Sequence, residues 1–358
     1  MALAAAACSD AGPTAVSAPE PPSSEATPST PPTPPTPATP PTSTPVPSAT
    51  GLWTGAYLGW RGDTPAQLPA AAEAWAADAG RAPSIIKTFH TLDADSLARW
   101  GVPMLQAVTR AGAVNFVSLE WTWAGAPAAD RLEAIARGDA DTHLVATARA
   151  LARHPAVVLV DMGSEMNGDW GYAWQGVQNG GSAGAAAKFV AAWRHVVDVL
   201  RREGATNVRW VFSPWVGNPL TWSPTGAAHW NWWGHYYPGD DYVDYAGLHG
   251  FNWGTPRWRS FESIFDSPEA DHILSDMIRR LPNKPIIIGE YASAEIAGED
   301  KGAWIAEAFA VMRRHPQIRA ALWFNGSREA NWRIQSSAAA LAAYRAAEAT
   351  APAGAFAP

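Results

Sequence analysis

A chain of 358 residues can hold one large domain or two ordinary ones, and its net charge of −7, with basic residues scattered rather than clustered, argues against a nucleic-acid partner. Only 16% of the residues are charged, against 20 tryptophans, so part of the aromatic set is expected on flat, amphipathic contact surfaces as well as in the core. The single cysteine, Cys8, follows Leu3-Ala4-Ala5-Ala6-Ala7. Small residues before a cysteine near a chain start resemble the end of a bacterial lipoprotein signal, so residues 1–12 read as its remnant and Cys8 as the lipidation site. From 13 to 50 the chain is almost wholly Pro, Thr, Ser and Ala, as in Pro31-Pro32-Thr33-Pro34-Pro35-Thr36-Pro37. Without periodic apolar residues such a segment cannot offset its chain entropy, and it is expected to be a disordered, semi-rigid spacer. These features predict a lipid anchor as the only membrane attachment, at a bacterial envelope or on a secreted protein.

Folded sequence is expected over 51–350. Strand-like runs occur at Trp53–Leu58, Ser84–Phe89, Asn115–Glu120, Val157–Met162, Val208–Ser213, Tyr245–Phe251, Pro285–Gly289 and Ala320–Phe324. Helical spacing separates them, most clearly at Leu68–Ala79, Asp141–Arg153, Ala185–Glu203, Gly302–His315 and Ala338–Ala347. Eight strands alternating with helices predict an α/β fold, a (β/α)8 TIM barrel as a single catalytic domain. The rival, an open doubly wound sheet, wants a glycine-rich phosphate loop after its first strand, and Gly55-Ala56-Tyr57-Leu58-Gly59 does not fit one.

Two of these strands end on a glutamate. Val157-Val158-Leu159-Val160-Asp161-Met162-Gly163-Ser164 leads to Glu165, and Pro285-Ile286-Ile287-Ile288-Gly289 leads to Glu290. The carboxyl ends of barrel strands are where this fold keeps its chemistry. Hydrolysis of a glycosidic bond needs two carboxyl groups about it, one to protonate the leaving oxygen and one to attack or to activate water. The pair therefore predicts a glycosidase. For either glutamate alone, a buried, salt-bridged structural role would serve as well.

The segment Glu165-Met166-Asn167-Gly168-Asp169-Trp170, with Trp174 after it, resembles the fourth-strand signature of glycoside hydrolase family 26. Tyr242-Val243-Asp244-Tyr245-Ala246-Gly247-Leu248, then Gly250-Phe251-Asn252-Trp253-Gly254, resembles that family's sixth-strand segment, and Ile288-Gly289-Glu290 its seventh. Trp323-Phe324-Asn325 and Trp332-Arg333-Ile334 resemble its C-terminal part, so the resemblance covers nearly everything after the spacer. It implies that Glu165 is the general acid/base and Glu290 the nucleophile of a retaining enzyme, with Glu290 charged and Glu165 protonated in the free state. It also implies a β-linked polysaccharide substrate, β-mannan first and mixed-linkage β-1,3-1,4-glucan or β-xylan next. The chain departs from the family pattern at Ser164, where His is usual, at Phe251, where a Tyr hydroxyl would reach the nucleophile, and at His249, where Asp is common.

Substrate contacts are expected from Ser164, Asn167, Trp170, Trp174, Glu120, Trp121, His249, Phe251, Trp253 and Trp323, all at or just beyond strand ends. Glu120 could equally be a surface glutamate, His249 a packed histidine, and about half of the tryptophans core. Trp230-Asn231-Trp232-Trp233 is expected to line a cleft wall, and His90 to follow the second strand as a loop residue or a sugar contact. By strand alternation Asp161 faces the barrel interior, where Lys87 is its expected partner. No residue set has convincing metal spacing, so neither metal nor cofactor is expected, and the protein is expected to be a monomer. A polysaccharide-binding barrel without catalysis is the alternative of another class.

Overall fold

The computed structural model describes residues 51–59, 64–94, 101–127, 129–217, 229–352 and 356–358. Cys8 and the Pro/Thr-rich segment lie outside the described residues. Eight strands form a closed parallel barrel in chain order, β1 pairing with both β2 and β8. They are β1 (Trp53–Tyr57), β2 (Ile85–Thr91), β3 (Val114–Glu120), β4 (Val158–Met162), β5 (Val208–Phe212), β6 (Tyr245–Asn252), β7 (Ile286–Ser293) and β8 (Ile318–Phe324). Each expected strand is present, its ends shifted by no more than a few residues.

The helices among the described residues are α1 (Leu68–Ala79), α2 (Val102–Arg110), α3 (Arg131–Arg137), α4 (Asp141–Ala152), α5 (Ala183–Arg202), α6 (Phe261–Phe265), α7 (Ile273–Arg280), α8 (Lys301–Arg314) and α9 (Ala338–Glu348). In α1 the buried residues Leu68, Ala71, Ala72, Trp75 and Ala79 follow the three- and four-residue spacing that drew the helix from the sequence, and left-handed Gly80 ends it. Asp300 and Ser337 cap α8 and α9 by accepting the backbone N–H of Ala303 and Ala340. Between β5 and β6 the described residues form 3-10 turns at His229–Asn231, Trp233–Tyr236 and Asp240–Tyr242, and Trp215 makes a single parallel bridge to His249.

Two apolar shells result. One lies between barrel and helices and holds Trp75, Trp193, Trp210, Trp304 and Tyr344, all buried. The other fills the lower barrel with Trp53, Ile85, Phe116, Leu159, Val211, Tyr245, Ile287 and Leu322. Phe356 closes it from below, its ring 5.9 Å from that of Trp53 and 6.3 Å from that of Tyr245. The folded unit thus continues past the expected end at 350, because an open barrel bottom would leave these rings in water.

One irregularity in the sheet sets the direction of Glu290. Leu248 of β6 pairs with Ile288 of β7, yet the next residue, His249, pairs with Glu290. Gly289 is therefore the extra residue of a bulge. Strict alternation from the inward Ile287 would send Gly289 and Tyr291 inward and Glu290 outward. The bulge brings Glu290 round to the interior and sends Tyr291 out against Trp304 and Trp323. Only glycine fits at 289, since a Cβ there would stand 2.8 Å from Nε2 of His249.

Candidate active site

Above the apolar plug the inward positions turn charged. Lys87 of β2, Asp161 of β4 and His249 of β6 are buried, with Glu165 just beyond β4 and Glu290 on β7 nearly so. The expected Lys87–Asp161 pair is present, Nζ to Oδ2 at 3.2 Å. The ammonium also reaches Oε1 of Glu290 at 2.7 Å, a contact that no pattern in the sequence marks. His249 points Nε2 at Oδ2 of Asp161, 3.1 Å away, and Nδ1 at Oε1 of Glu165, 2.9 Å away, with Glu290 Oε1 at 3.7 Å. Its backbone is gripped as well, accepting from Val216 and donating to Pro214 where β5 runs on toward the loop.

These contacts set the protonation states. Burial and the Lys87 ammonium both oppose a charge on His249, but Glu290, Asp161 and Glu165 outweigh them and lift it to about 9. Lys87 is likewise raised against its burial by Glu290 and Asp161. Burial pushes at Asp161 from the other side, and the two cations hold it below the usual carboxylate range. Glu165 is raised by burial, only partly offset by His249, and further by Glu290. A carboxyl that binds its proton more tightly than usual, beside a second carboxyl, suits general-acid work.

The backbone at Glu165 is held in an unfavourable form. Its φ is +57°, in the left-handed region that costs a non-glycine residue about 1–2 kcal/mol. Its N–H donates to the Ser213 carbonyl at 2.8 Å. Its own carbonyl accepts from Gly168 N–H and from Nε2 of buried Gln175. The other end of the Gln175 amide accepts three backbone N–H groups, from Trp170, Gly171 and Tyr172, at 3.0–3.1 Å. One buried side chain thus ties the loop carrying two exposed aromatics to the glutamate.

A cleft of about 850 Å³ opens over the two glutamates. Glu120, Ser164, Trp170, Trp174, Phe251 and Trp253 line it, as expected, together with Tyr57, Phe89, Tyr172, Trp215, Phe324 and Trp332. The large hydrophobic residues exposed among the described ones, Phe89, Trp170, Tyr172 and Trp253, all belong to this wall. Burial and Glu290 raise Glu120; burial and the carboxylates Glu165, Glu290, Glu120 and Glu329 raise the Tyr172 phenol, so the cleft is acidic.

Four expected substrate contacts lie elsewhere. Trp121 alternates outward from Glu120 and packs fully buried on Phe189 of α5. Trp323 alternates outward between Leu322 and Phe324, donates to the Trp332 carbonyl, and meets Tyr291 and Tyr344. Asn167 is buried and holds the β5 loop, donating to the Trp215 and Gly217 carbonyls and accepting from Trp215 N–H. His249 lies beneath the glutamates in the ion network and is not exposed.

The expected cleft wall at Trp230–Trp233 is also absent from the lining. Trp233 is buried against Asp276 of α7, and Trp232 is covered by His229, His235 and Arg280. His90 is buried, bonded to Thr88, and lowered to about 4 by burial, so it is neither a loop residue nor a sugar contact. Alternation along β2 and β8 would also have marked Phe89 and Phe324 as inward, while Tyr172 and Trp332 sit on loops with no such signal.

Among the described residues, Glu165, His249 and Glu290 are the group whose donor atoms crowd together, within 4.8 Å of one another. Lys87 and the imidazolium already supply the positive charge there, which argues against a further cation.

No family model matches the chain. It is 36% identical over 276 residues to Endoglucanase H of Acetivibrio thermocellus, covering 74% of this chain and 27% of that protein, so it spans about a quarter of that relative's length. Among solved structures, a Bacillus subtilis mannanase matches with a TM-score of 0.58 at 19% identity, covering 84% of this chain and 86% of the other. A glycoside hydrolase family 26 β-mannanase from Bacteroides ovatus matches at 0.58 and 14%, covering 84% and 88%. An endo-β-1,4-mannanase from Cellulomonas fimi matches at 0.57 and 15%, covering 84% and 70%. The likeness to glycoside hydrolase family 26 carried by the motifs thus extends to the fold.

Proposed function

We propose that this chain is a retaining β-glycanase of the glycoside hydrolase family 26 type, with Glu290 as nucleophile and Glu165 as general acid/base. The observation that carries the reading is the carboxyl pair, with an oxygen of each within 4.8 Å of the other on the floor of the cleft. Inverting enzymes keep the two groups about 6.5–9.5 Å apart to admit a water, whereas double displacement needs them about 5–5.5 Å apart. Glu290 attacks the anomeric carbon, Glu165 protonates the departing oxygen, and Glu165 then draws the proton from the water that releases the sugar. Sugar rings offer apolar C–H faces to the aromatic wall, and hydroxyls to Ser164, Glu120 and other polar groups of the cleft.

Two backbones are favoured. β-1,4-Mannan follows from the motif resemblance and from the names of the structural neighbours. β-Glucan follows from the name of the relative with the higher identity, an endoglucanase. A lipid at Cys8, the spacer behind it, a location outside the cytoplasm and a monomeric state belong to the same proposal, on the sequence alone.

The test is product release from β-mannan, β-glucan and β-xylan by the wild type, Glu165→Gln and Glu290→Ala. We expect one polymer to be cut, Glu290→Ala to lose about 10⁴-fold or more, and Glu165→Gln about 10²–10⁴-fold. Full activity in folded Glu290→Ala would sink the mechanism. Binding without turnover in all three proteins would point to a sugar-binding barrel.

A further inference from the structure

Each ring nitrogen of His249 faces a carboxyl group, Nδ1 toward Glu165 at 2.9 Å and Nε2 toward Asp161 at 3.1 Å. The Asp161 carboxylate only accepts, and Oε1 of Glu165 still accepts when the proton of that carboxyl sits on its other oxygen, so both contacts are hydrogen bonds when both nitrogens carry a proton, that is, when the ring is an imidazolium. The ring also lies beside both reacting groups, since Glu290 Oε1 is 3.7 Å from the same Nδ1. The remaining charges that meet it are Lys87 of β2, whose Nζ is 3.4 Å from Nε2, and, through Glu290, the cleft carboxyl Glu120 of β3. Pro214, Trp215 and Val216, which flank it on the β5 side, bring no titratable group.

Charge is balanced in this enclosed layer. With Glu165 protonated, Lys87 and His249 balance Asp161 and Glu290. When Glu290 forms its bond to the anomeric carbon and the bond to the leaving oxygen breaks, Glu165 passes its proton to that oxygen. Glu290 is then a neutral ester and Glu165 a carboxylate, so the balance is kept while the negative charge has moved from one glutamate to the other. In the second half, water adds to the anomeric carbon, its proton goes to Glu165, and Glu290 leaves as the carboxylate.

We infer that His249 is a positioning cation for this double displacement: its imidazolium, fixed between the two glutamates, holds the migrating negative charge at either end. The inference rests on the retaining mechanism proposed above. Asp161 and Lys87 keep the ring in place, and the Gly289 bulge makes room for it. The ring matters most in the second half-reaction. There it stabilises Glu165 as the carboxylate that must accept the proton of water. Without that charge, buried Glu165, having given its proton to the leaving oxygen, would take another from solvent before it could accept the proton of the attacking water, and the glycosyl-enzyme would persist.

Two measurements test this. In the wild type, ¹⁵N chemical shifts of the His249 ring are followed from pH 6 to 8. Imidazolium shifts throughout are expected, and a neutral tautomer over that range would overturn the inference. His249→Asn keeps an amide N–H near Nδ1 but removes the charge, and its fold is checked by circular dichroism.

On the polymer the wild type cuts, we expect kcat at pH 7 to fall about tenfold or more. KM should fall with it, so that kcat/KM changes by less than about threefold. The basic limb of kcat/KM should move up by about one pH unit as Glu165 loses its cation. An unchanged pH profile with kcat and kcat/KM lowered together would mean a purely structural histidine. Wild type inactive on every polymer would instead fail the glycanase reading, while the ring shifts would still report the charge on His249.

Discussion

The lower and upper storeys of the barrel interior are built by the same strands and differ in everything else. β2 contributes Ile85 below and Lys87 above, β4 Leu159 and then Asp161, β6 Tyr245 and then His249, β7 Ile287 and then Glu290. Below, the packed layer is apolar, and cohesion comes from apolar area removed from water. Above, two cations and the carboxylates share a handful of contacts of 2.7–3.7 Å, and cohesion depends on every charge having its partner. The difference teaches that inward alternation selects which residues enter the barrel, while height along the strand decides whether they serve stability or chemistry.

The separation can be broken from either side. Leu159→Ala empties space in the lower storey and should cost about 2–5 kcal/mol in urea unfolding, with activity per folded molecule nearly unchanged. A large loss of activity at preserved stability would mean that the storeys are not independent.

The upper storey should respond to pH where the lower does not. His249 titrates near 9 in the fold, above its ordinary 6.5, so its contribution to stability is complete below 6.5 and is lost as pH rises through 9. The stability difference between wild type and His249→Asn should shrink over that window by on the order of 2–3 kcal/mol. A pH-independent difference would remove the charge from the explanation.

The smallest effect is expected above both storeys, at the rim. Trp253 is 42% exposed and leans edge-on against Trp332, their centroids 4.8 Å apart. Trp253→Ala should leave the melting temperature in place and raise KM roughly fivefold, about 1 kcal/mol of stacking. Unaltered KM would exclude it from the sugar path.

Much of this was legible. Val158–Met162 and Ile286–Ser293 announce themselves by short apolar runs, and α1 by its spacing and its terminal glycine. The inward direction of Lys87 and Asp161 followed from period two. The same rule, carried one residue further, would have turned Trp121 and Trp323 away from the cleft. Trp232 and Trp233 misled for another reason, since flat rings serve a helix interface as readily as a sugar, and here they pack toward α7.

By itself, then, the sequence determined the eight strands, the helices between them, and the placing of Glu165 and Glu290 near strand ends, because local periodicity and turn chemistry are written residue by residue. The tertiary structure alone decided that a bulge at Gly289 turns Glu290 inward, that Lys87 holds it, and that His249 stands between two carboxylates rather than against a sugar. Those facts arise from the register and closure of strands far apart in the chain, and a contact between such strands leaves no pattern in either one.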